Sequence, residues 1–120
     1  MKYLLGIDFG GGSSKATLID TTGNIIAEST AEYPTYYPTP DACEQRAEDW
    51  QNALVENISV LKAKSGIDIG DILCVAIDSA THTAVLCDDK KCLYALRFIG
   101  RTAVQHKNQR NWVKNTARKF

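Results

Sequence analysis

The chain has 120 residues, of which 44% are hydrophobic, so it is long enough for one small domain with a modest core. Lys and Arg number 14, as do Asp and Glu, and the formal net charge is zero. No run of about 18 apolar residues occurs, so a membrane span is not expected. The first residues also lack the basic start, long apolar stretch and cleavage site of a signal peptide, and we expect a cytoplasmic protein without a membrane partner.

The zero net charge conceals an uneven distribution. Every acidic residue lies at or before Asp89, and the chain through Cys92 carries seven Lys and Arg against 14 acids, a net charge of −7. Seven basic residues and no acids follow from Leu93 onward. A basic tail can bind nucleic acid, but this one lacks the aromatic spacing of a base-stacking platform. We expect a solvated helix face and no nucleic-acid partner.

Cysteine spacing fits a reducing compartment. The four cysteines form no CxxC pair, and only two histidines accompany them; they are Cys43, Cys74, Cys87 and Cys92. This pattern argues against a zinc site and favours free thiols, although spacing alone leaves disulfides open.

Three strands open the chain. Lys2–Asp8 and Lys15–Asp20 are apolar segments of strand length on either side of a glycine turn. Residues 21–24 have strong turn chemistry, and Ile25–Glu32 continues as a third strand. The order predicts an antiparallel β-meander.

The first turn is the most informative segment, and its sequence is Asp8-Phe9-Gly10-Gly11-Gly12-Ser13-Ser14-Lys15. Consecutive glycines allow positive φ and let backbone N–H groups approach an anion. Lys15 adds a mobile positive charge, and Asp8 at the strand end can hold Mg²⁺ directly or through water. A strand follows the glycines, which excludes a Rossmann fingerprint and a P-loop. The pattern predicts a strand–turn–strand phosphate site, with an ordinary glycine hairpin and a solvated lysine as the alternative.

A loop and a helix come next. Tyr33–Gln45 holds all three prolines and is predicted to be an ordered loop. Glu48–Lys64 is predicted to be a helix because apolar residues recur at helical spacing, namely Trp50, Leu54, Val55, Ile58 and Leu61. Acids begin this segment, lysines end it, and Gly66 is a natural stop.

The remaining elements are shorter or less regular. Ile72–Ile77 is a continuous apolar run, which predicts a central strand buried on both faces. His82–Cys87 and Cys92–Leu96 flank a charged turn and are predicted to form a hairpin. Thr102–Lys119 is predicted to be a helix with sparse apolar positions.

Gly6–Ala16 resembles the opening phosphate motif of the FGGY family of sugar kinases, within the actin/Hsp70/hexokinase superfamily. That motif usually reads G-I-D-x-G-T-T-S-x-K/R, and Gly11 and Gly12 stand where threonines are common. The resemblance implies that Asp8 organises Mg²⁺. It also implies that the following residues hold the phosphates of ATP: Gly10, Gly11, Gly12, Ser13, Ser14 and Lys15.

Three later segments extend the resemblance. Pro40–Trp50 is similar to the family stretch P-G-W-x-E-Q-D-P-E-x-W. Glu44 and Gln45 are expected to lie just before the helix, where a carboxylate can interact with free N–H groups, and a purely structural role is the alternative. Ala76–Leu86 resembles G-I-S-G-Q-M-H-G-L-V-L, and Leu96–Thr102 falls where the family has L-W-x-D-x-R-T. These matches imply sugar contacts by Thr81, His82 and Arg101. A purely structural histidine is the alternative at His82.

The resemblance implies an α/β fold: the N-terminal subdomain of a ribonuclease-H-like, actin-like ATPase domain, truncated. Residues 1–120 would be the incomplete N-terminal portion of domain I. The implied activity is ATP-dependent phosphorylation of a pentulose such as xylulose. The catalytic general base is expected beyond residue 120, so no catalytic residue is assigned and the isolated chain is predicted to be inactive.

Two other classes stay open. One is a different kinase or activator ATPase of the same superfamily, and the other is a non-catalytic module that binds nucleotide weakly or only packs against a partner. The expected partners are sugar and ATP in the longer enzyme. An apolar edge left uncovered predicts homodimerisation or other self-association of the fragment.

Overall fold

The computed structural model describes residues 1–40, 43–81, 83, 85–87, 93–95 and 97–98. The chain divides into two compact units: Met1–Pro34 with Ala47–Thr81, and Thr35–Arg46 with the residues from 82 onward. The expected helix at Thr102–Lys119 lies outside the described residues, so it stays a prediction.

The predicted meander is confirmed. Strands β1 (Tyr3–Phe9), β2 (Ser13–Asp20) and β3 (Ile25–Glu32) pair in antiparallel order. Alternate side chains on one face are buried, because side chains of a strand point to opposite sides in turn. The buried residues of this face include Leu5, Ile7, Ala16, Leu18 and Ala27.

A very short strand and the long helix follow. Strand β4 covers Glu44–Gln45, and helix α1 covers Ala47–Ser65, one residue longer at each end than predicted. Helix α1 packs on β2 and β3. Its fully buried residues are spaced four apart, as one helix face requires: Ala53, Asn57 and Leu61.

The expectation that Val55 widens the buried stripe of α1 is wrong. Its side chain is 64% exposed. Val55 lies two positions from both Ala53 and Asn57, and about 100° per residue places it on the opposite side of the helix. The predicted helix is present, but its buried face is centred on Ala53 and Asn57, each one residue before the larger Leu54 and Ile58, which are only half-buried.

A single 3₁₀ turn (Ile69–Asp71) leads into strand β5 (Ile72–Ser79), which pairs in parallel with β1. The four-stranded sheet has the order β3-β2-β1-β5. The prediction that this strand is buried on both faces is wrong, because seven of its eight residues are exposed. In the described part of the chain β5 is the edge strand next to β1. Helix α1 packs on β2 and β3, at the opposite end of the sheet, and so leaves β5 uncovered.

The second unit contains short strands. Strands β6 (Leu86–Cys87) and β7 (Leu93–Ala95) pair in antiparallel order, which confirms the core of the predicted hairpin. Strand β8 (Arg97–Phe98) pairs with β4. The loop before α1 is therefore not wholly irregular, and Tyr36 and Glu44 also exchange two backbone hydrogen bonds, of 2.7 and 2.8 Å.

These elements confirm the α/β class. Its core lies between the sheet and α1, where Leu61 and Ile67 join the buried side chains of the meander. Within the described residues, none of the helices combines the length and apolar content that crossing a bilayer requires.

Candidate phosphate and metal site

The predicted strand–turn–strand is present between β1 and β2. Gly10 N–H donates to the carbonyl oxygen of Ser13 across 2.9 Å, so Gly11 and Gly12 form the tip of a tight hairpin. Among the described residues, positive φ occurs at Gly23 and Gly66 and at none of the three turn glycines. Left-handed backbone is therefore not what requires glycine at this turn.

The three glycines are not equivalent. A Cβ atom at Gly10 would lie 3.2 Å from the Ser13 carbonyl oxygen, which is tighter than most real contacts. A Cβ atom at Gly11 or Gly12 would meet nothing within 4 Å. The turn thus needs glycine at its base and has open space at its tip, where the family motif carries threonines.

Tyr33 holds the turn by hydrogen bonds to its backbone carbonyl oxygens. Its backbone N–H donates to the Gly12 carbonyl oxygen at 3.1 Å. Its hydroxyl lies 2.5 Å from the Gly10 carbonyl oxygen and 2.9 Å from that of Ser13. The ring is buried and meets Trp50 edge-on, with centroids 6.4 Å apart. Sequence reasoning placed Tyr33 in the loop and assigned it no role, because nothing local reveals that the chain returns beneath the turn.

The exposed face of the sheet forms an open concavity of about 320 Å³ beside this turn. Asp8 is exposed on the face opposite α1 and lies in register with Asp78 of β5 on one side and Lys15 of β2 on the other. All three line the concavity with Thr17 and Gly6. Asp78 belongs to the Ala76–Leu86 segment, and its place beside Asp8 follows from strand pairing that no local pattern predicts.

The Lys15 side chain is already engaged. Its Nζ lies 2.9 Å from Glu28 Oε1 on β3. The hydroxyl of Thr17 donates to the same carboxylate oxygen at 3.2 Å. The hydrogen bond from Lys15 and then that from Thr17 lower the pKa of Glu28, so Glu28 is ionised at neutral pH. Glu28 was also missed, because its pairing with Lys15 depends on the register of β2 and β3.

The two serines of the turn differ in burial. Ser13 is half-buried, but Ser14 is fully buried on the α1 side of the sheet. Asn57 of α1 donates from Nδ2 to the Ser14 carbonyl oxygen at 3.0 Å. Ser14 Oγ and Asn57 Oδ1 have no hydrogen-bond partner among the described residues. The hydroxyl of Ser14 is thus on the helix side, away from the concavity that Asp8 and Lys15 line.

The residues that the family motifs predict to contact a sugar are only partly described. Ala80 N–H donates to the Phe9 carbonyl oxygen at 2.8 Å and extends the β1–β5 pairing past Ser79. Thr81 follows it and is exposed just past the carboxyl end of β5. His82 and Arg101 lie outside the described residues. Ligands of α/β sheets commonly bind at this end of the strands.

Glu44 and Gln45 lie just before α1, as expected, and they also form a short strand that the sequence did not predict. They lie in β4, where the Gln45 side chain is buried and its Nε2 donates to Thr35 Oγ1 at 3.0 Å. Arg46 lies over the ring of Tyr36, 4.4 Å from its centroid. This stretch therefore organises the loop before α1, and sequence alone did not reveal that pairing.

The donor set at the concavity fits Mg²⁺. Magnesium is usually held by one or two carboxylates together with water and substrate phosphates. Asp8 and Asp78 supply two carboxylates in register on adjacent parallel strands and on the same open face. Within the described residues, no group of three or more Asp, Glu, His or Cys side chains forms a complete protein-only site.

The sheet order, the parallel β1–β5 pair and the strand–turn–strand together define the actin-like ATPase fold. The chain belongs to the FGGY family of carbohydrate kinases, because the model of that family's N-terminal domain matches residues 3–110.

Relatives agree with this assignment. The chain is 34% identical over 89 residues to a glycerol kinase of Pediococcus pentosaceus and 31% identical over 91 residues to a xylulose kinase of Bacillus subtilis. These alignments cover 74% and 76% of the chain. A crystal structure described as a xyloylose kinase from Brucella ovis superimposes with a TM-score of 0.77 and 26% identity over 81% of the chain and 20% of that structure. The chain spans only 18% of the length of both curated relatives.

Proposed function

We propose that residues 1–120 are the N-terminal portion of domain I of a kinase that transfers the γ-phosphoryl group of ATP to a sugar hydroxyl. The observation that carries the proposal is the glycine turn between β1 and β2 beside the exposed carboxylate of Asp8. A pentulose such as xylulose is the proposed substrate, since two of the relatives are described as xylulose kinases; glycerol is the alternative, since others are described as glycerol kinases.

Each part of the site has a role in this proposal. The backbone N–H groups of the turn from Gly10 to Ser14 bind phosphate oxygens, and Lys15 adds positive charge. Asp8, helped by Asp78, holds Mg²⁺ or its water ligands, and the metal neutralises charge on the transferring phosphoryl group. The hydroxyl of Ser13 is the one that is open to the ligand, while Ser14 contributes only backbone.

The sugar binds, in this proposal, at the carboxyl ends of β1 and β5. Thr81 is exposed there and donates to or accepts from sugar hydroxyls. His82 follows it directly in the sequence, and Arg101 is carried over from the family motif alone. The general base that takes the proton from the attacking hydroxyl lies outside residues 1–120.

Nucleotide titration tests the phosphate site. We expect Asp8→Asn to weaken MgATP binding about tenfold or more by calorimetry, because it removes a charged metal ligand. Glu56→Gln removes a charge from the exposed side of α1 and is expected to leave the affinity unchanged. Equal affinity in Asp8→Asn and the unmodified chain would contradict the proposal.

The isolated chain is proposed to turn over no sugar. Phosphoryl transfer depends on positioning and charge stabilisation by a closed site. A coupled assay with MgATP and xylulose or glycerol should therefore remain at background. Robust turnover by residues 1–120 alone would contradict this part of the proposal.

A non-catalytic module is the second candidate, and the salt bridge between Lys15 and Glu28 favours it, because it occupies the lysine without a nucleotide. MgATP titration separates the two: a saturable signal that Asp8→Asn weakens supports the kinase site, and absence of any signal supports the module.

Cytoplasmic location and self-association complete the proposal. Cys43 and Cys74 are free thiols, and use of ATP suits the cytoplasm. Self-association is proposed through the exposed edge strand β5.

A further inference from the structure

The ammonium group of Lys15 lies away from the glycine turn. In the β2–β3 register Lys15 is opposite Thr30, and Glu28 is opposite Thr17, two residues further from the turn. One carboxylate oxygen of Glu28 contacts both the Thr17 hydroxyl and Lys15 Nζ. Since Thr17 fixes that oxygen beside itself, the lysine side chain extends along β2 away from Gly10. Two strand residues correspond to about 6.6 Å.

Glu28 is itself held in place. Besides Thr17, the strand around it is tied to the helix, because Lys64 Nζ donates to the Glu28 carbonyl oxygen at 2.7 Å. The pKa of its carboxyl is lowered chiefly by Lys15, so it keeps its charge at neutral pH. Glu28 therefore offers Lys15 a fixed and ionised partner.

The ion pair is also easily broken. The Lys15 and Glu28 side chains are 55% and 43% exposed. Exposed pairs of this kind contribute little, because water and salt screen them. A polyphosphate bound at the turn offers Lys15 several charged oxygens and competes for it effectively.

We propose that Glu28 is a positioning residue that holds Lys15 away from the Gly10–Ser13 turn and so lowers the affinity of the turn for polyphosphate until the ligand draws the lysine back. This rests on the proposed function, which supplies the phosphate site. The consequence is a site in which Glu28 and the bound phosphate compete for one cation.

Glu28→Gln tests the inference, because it removes the charge and keeps the shape. We expect it to tighten MgATP binding about two- to fivefold, the range that follows from releasing an exposed ion pair. Glu32→Gln is the matched control: Glu32 lies on the same strand and face, opposite Ser13 and nearer the turn, and no described side chain pairs with it. The increase in affinity for MgATP in Glu32→Gln should be less than half of the increase in Glu28→Gln.

A second readout follows the lysine directly. The rate at which an amine-acylating reagent modifies Lys15, measured by mass spectrometry, should rise in Glu28→Gln and not in Glu32→Gln. MgATP should lower that rate in both variants. In a Lys15→Gln background, Glu28→Gln should no longer change the affinity for MgATP, as a double-mutant cycle requires.

The outcomes separate the two proposals. Binding of MgATP with equal affinities in Glu28→Gln and Glu32→Gln overturns the role of Glu28 and leaves the phosphate site standing. If Glu28→Gln still tightens MgATP binding in the Lys15→Gln background, the role of Glu28 is likewise overturned and the phosphate site stands. Failure of the unmodified chain and of every variant to bind MgATP overturns both. Both substitutions are at exposed positions, and circular dichroism verifies that the variants fold.

Discussion

The space around Gly10 does not easily accept a side chain, whereas the space around Gly12 does. The Ser13 carbonyl oxygen that a Gly10 side chain would meet already accepts from Gly10 N–H and lies beside the Tyr33 hydroxyl, so it has little freedom to move. We expect Gly10→Ala to lower the free energy of unfolding by about 1 kcal/mol or more. Gly12→Ala, whose Cβ meets only open space, should be neutral or stabilising by up to about 1 kcal/mol.

Urea denaturation of the two alanine variants measures this difference directly. The pair is matched, because each adds one methyl group to the same turn. A loss of stability in Gly12→Ala as large as that in Gly10→Ala would show that the turn is limited by backbone conformation rather than by the approach of Ser13.

Asn57 joins α1 to strand β2 directly after the glycine turn. It is fully buried, and its amide donates to the Ser14 carbonyl oxygen. We expect Asn57→Ala to cost about 2 kcal/mol or more, because it removes a buried hydrogen bond between the helix and the sheet and opens a cavity. Asn52→Ala on the exposed side of the same helix is the control and should change stability little. Equal effects in thermal or urea unfolding would contradict a special role for Asn57.

Sequence identified the residues of the site that lie on one continuous segment. Asp8, the glycines and Lys15 were found because a carboxylate, a glycine turn and a lysine are adjacent in the chain. Tyr33, Asn57, Glu28 and Asp78 were not found, because each reaches the turn through tertiary contacts or strand register. Polar residues that return to a site from a distance leave no local pattern.

At the scale of elements, the β2–β3 turn is organised by one carboxylate. Asp20 accepts from the backbone N–H groups of Thr22 and Asn24 at 2.8 and 2.9 Å and from both of their side chains. The Thr22 side chain and then the Asn24 side chain are the main causes that hold the pKa of Asp20 well below its usual range. The folded state therefore prefers the ionised carboxylate.

This turn predicts a pH dependence of stability. The pKa of Asp20 is lower in the folded chain than in the unfolded chain, so its stabilisation is present above about pH 4 and is lost as the pH falls below that value. Asp20→Asn lacks it. The difference in stability between the unmodified chain and Asp20→Asn should be largest near neutral pH and should narrow in acid.

Unfolding curves collected from neutral pH down to about pH 3 test this expectation. A difference for Asp20→Asn that stays constant or grows as the pH falls would contradict the assignment of the stabilising charge to Asp20.

The elements themselves were well predicted where local patterns decide them. The meander, α1 and β5 follow from strand-length apolar runs, turn chemistry and helical periodicity. Burial was less predictable: Val55 is exposed and β5 forms an edge, because packing partners and not the local sequence decide which face is covered. A continuous apolar run indicates a strand that is suited to burial, but the strand is buried only where a neighbouring element packs on it.

At the scale of the whole molecule, β5 presents an apolar stripe without a neighbour among the described residues. Val75 and Ile77 are 49% and 65% exposed and lie on one face of the edge strand; Leu73, 60% exposed, precedes them at an irregularity of the β1–β5 pairing. An antiparallel pair of β5 strands from two copies, centred on Val75, would place Leu73 opposite Ile77. The same register puts Asp78 opposite Ile72, so no acid opposes an acid.

We therefore expect residues 1–120 to dimerise through β5, because the pairing satisfies edge N–H and C=O groups and covers apolar surface. Val75→Lys places two like charges opposite each other at the centre of this pair and should shift sedimentation toward the monomer. Val55→Lys makes the same change at a 64%-exposed valine on α1 and should leave the association unaltered. A chain that sediments as a monomer at high concentration, or equal weakening by both substitutions, would show that β5 is not the interface.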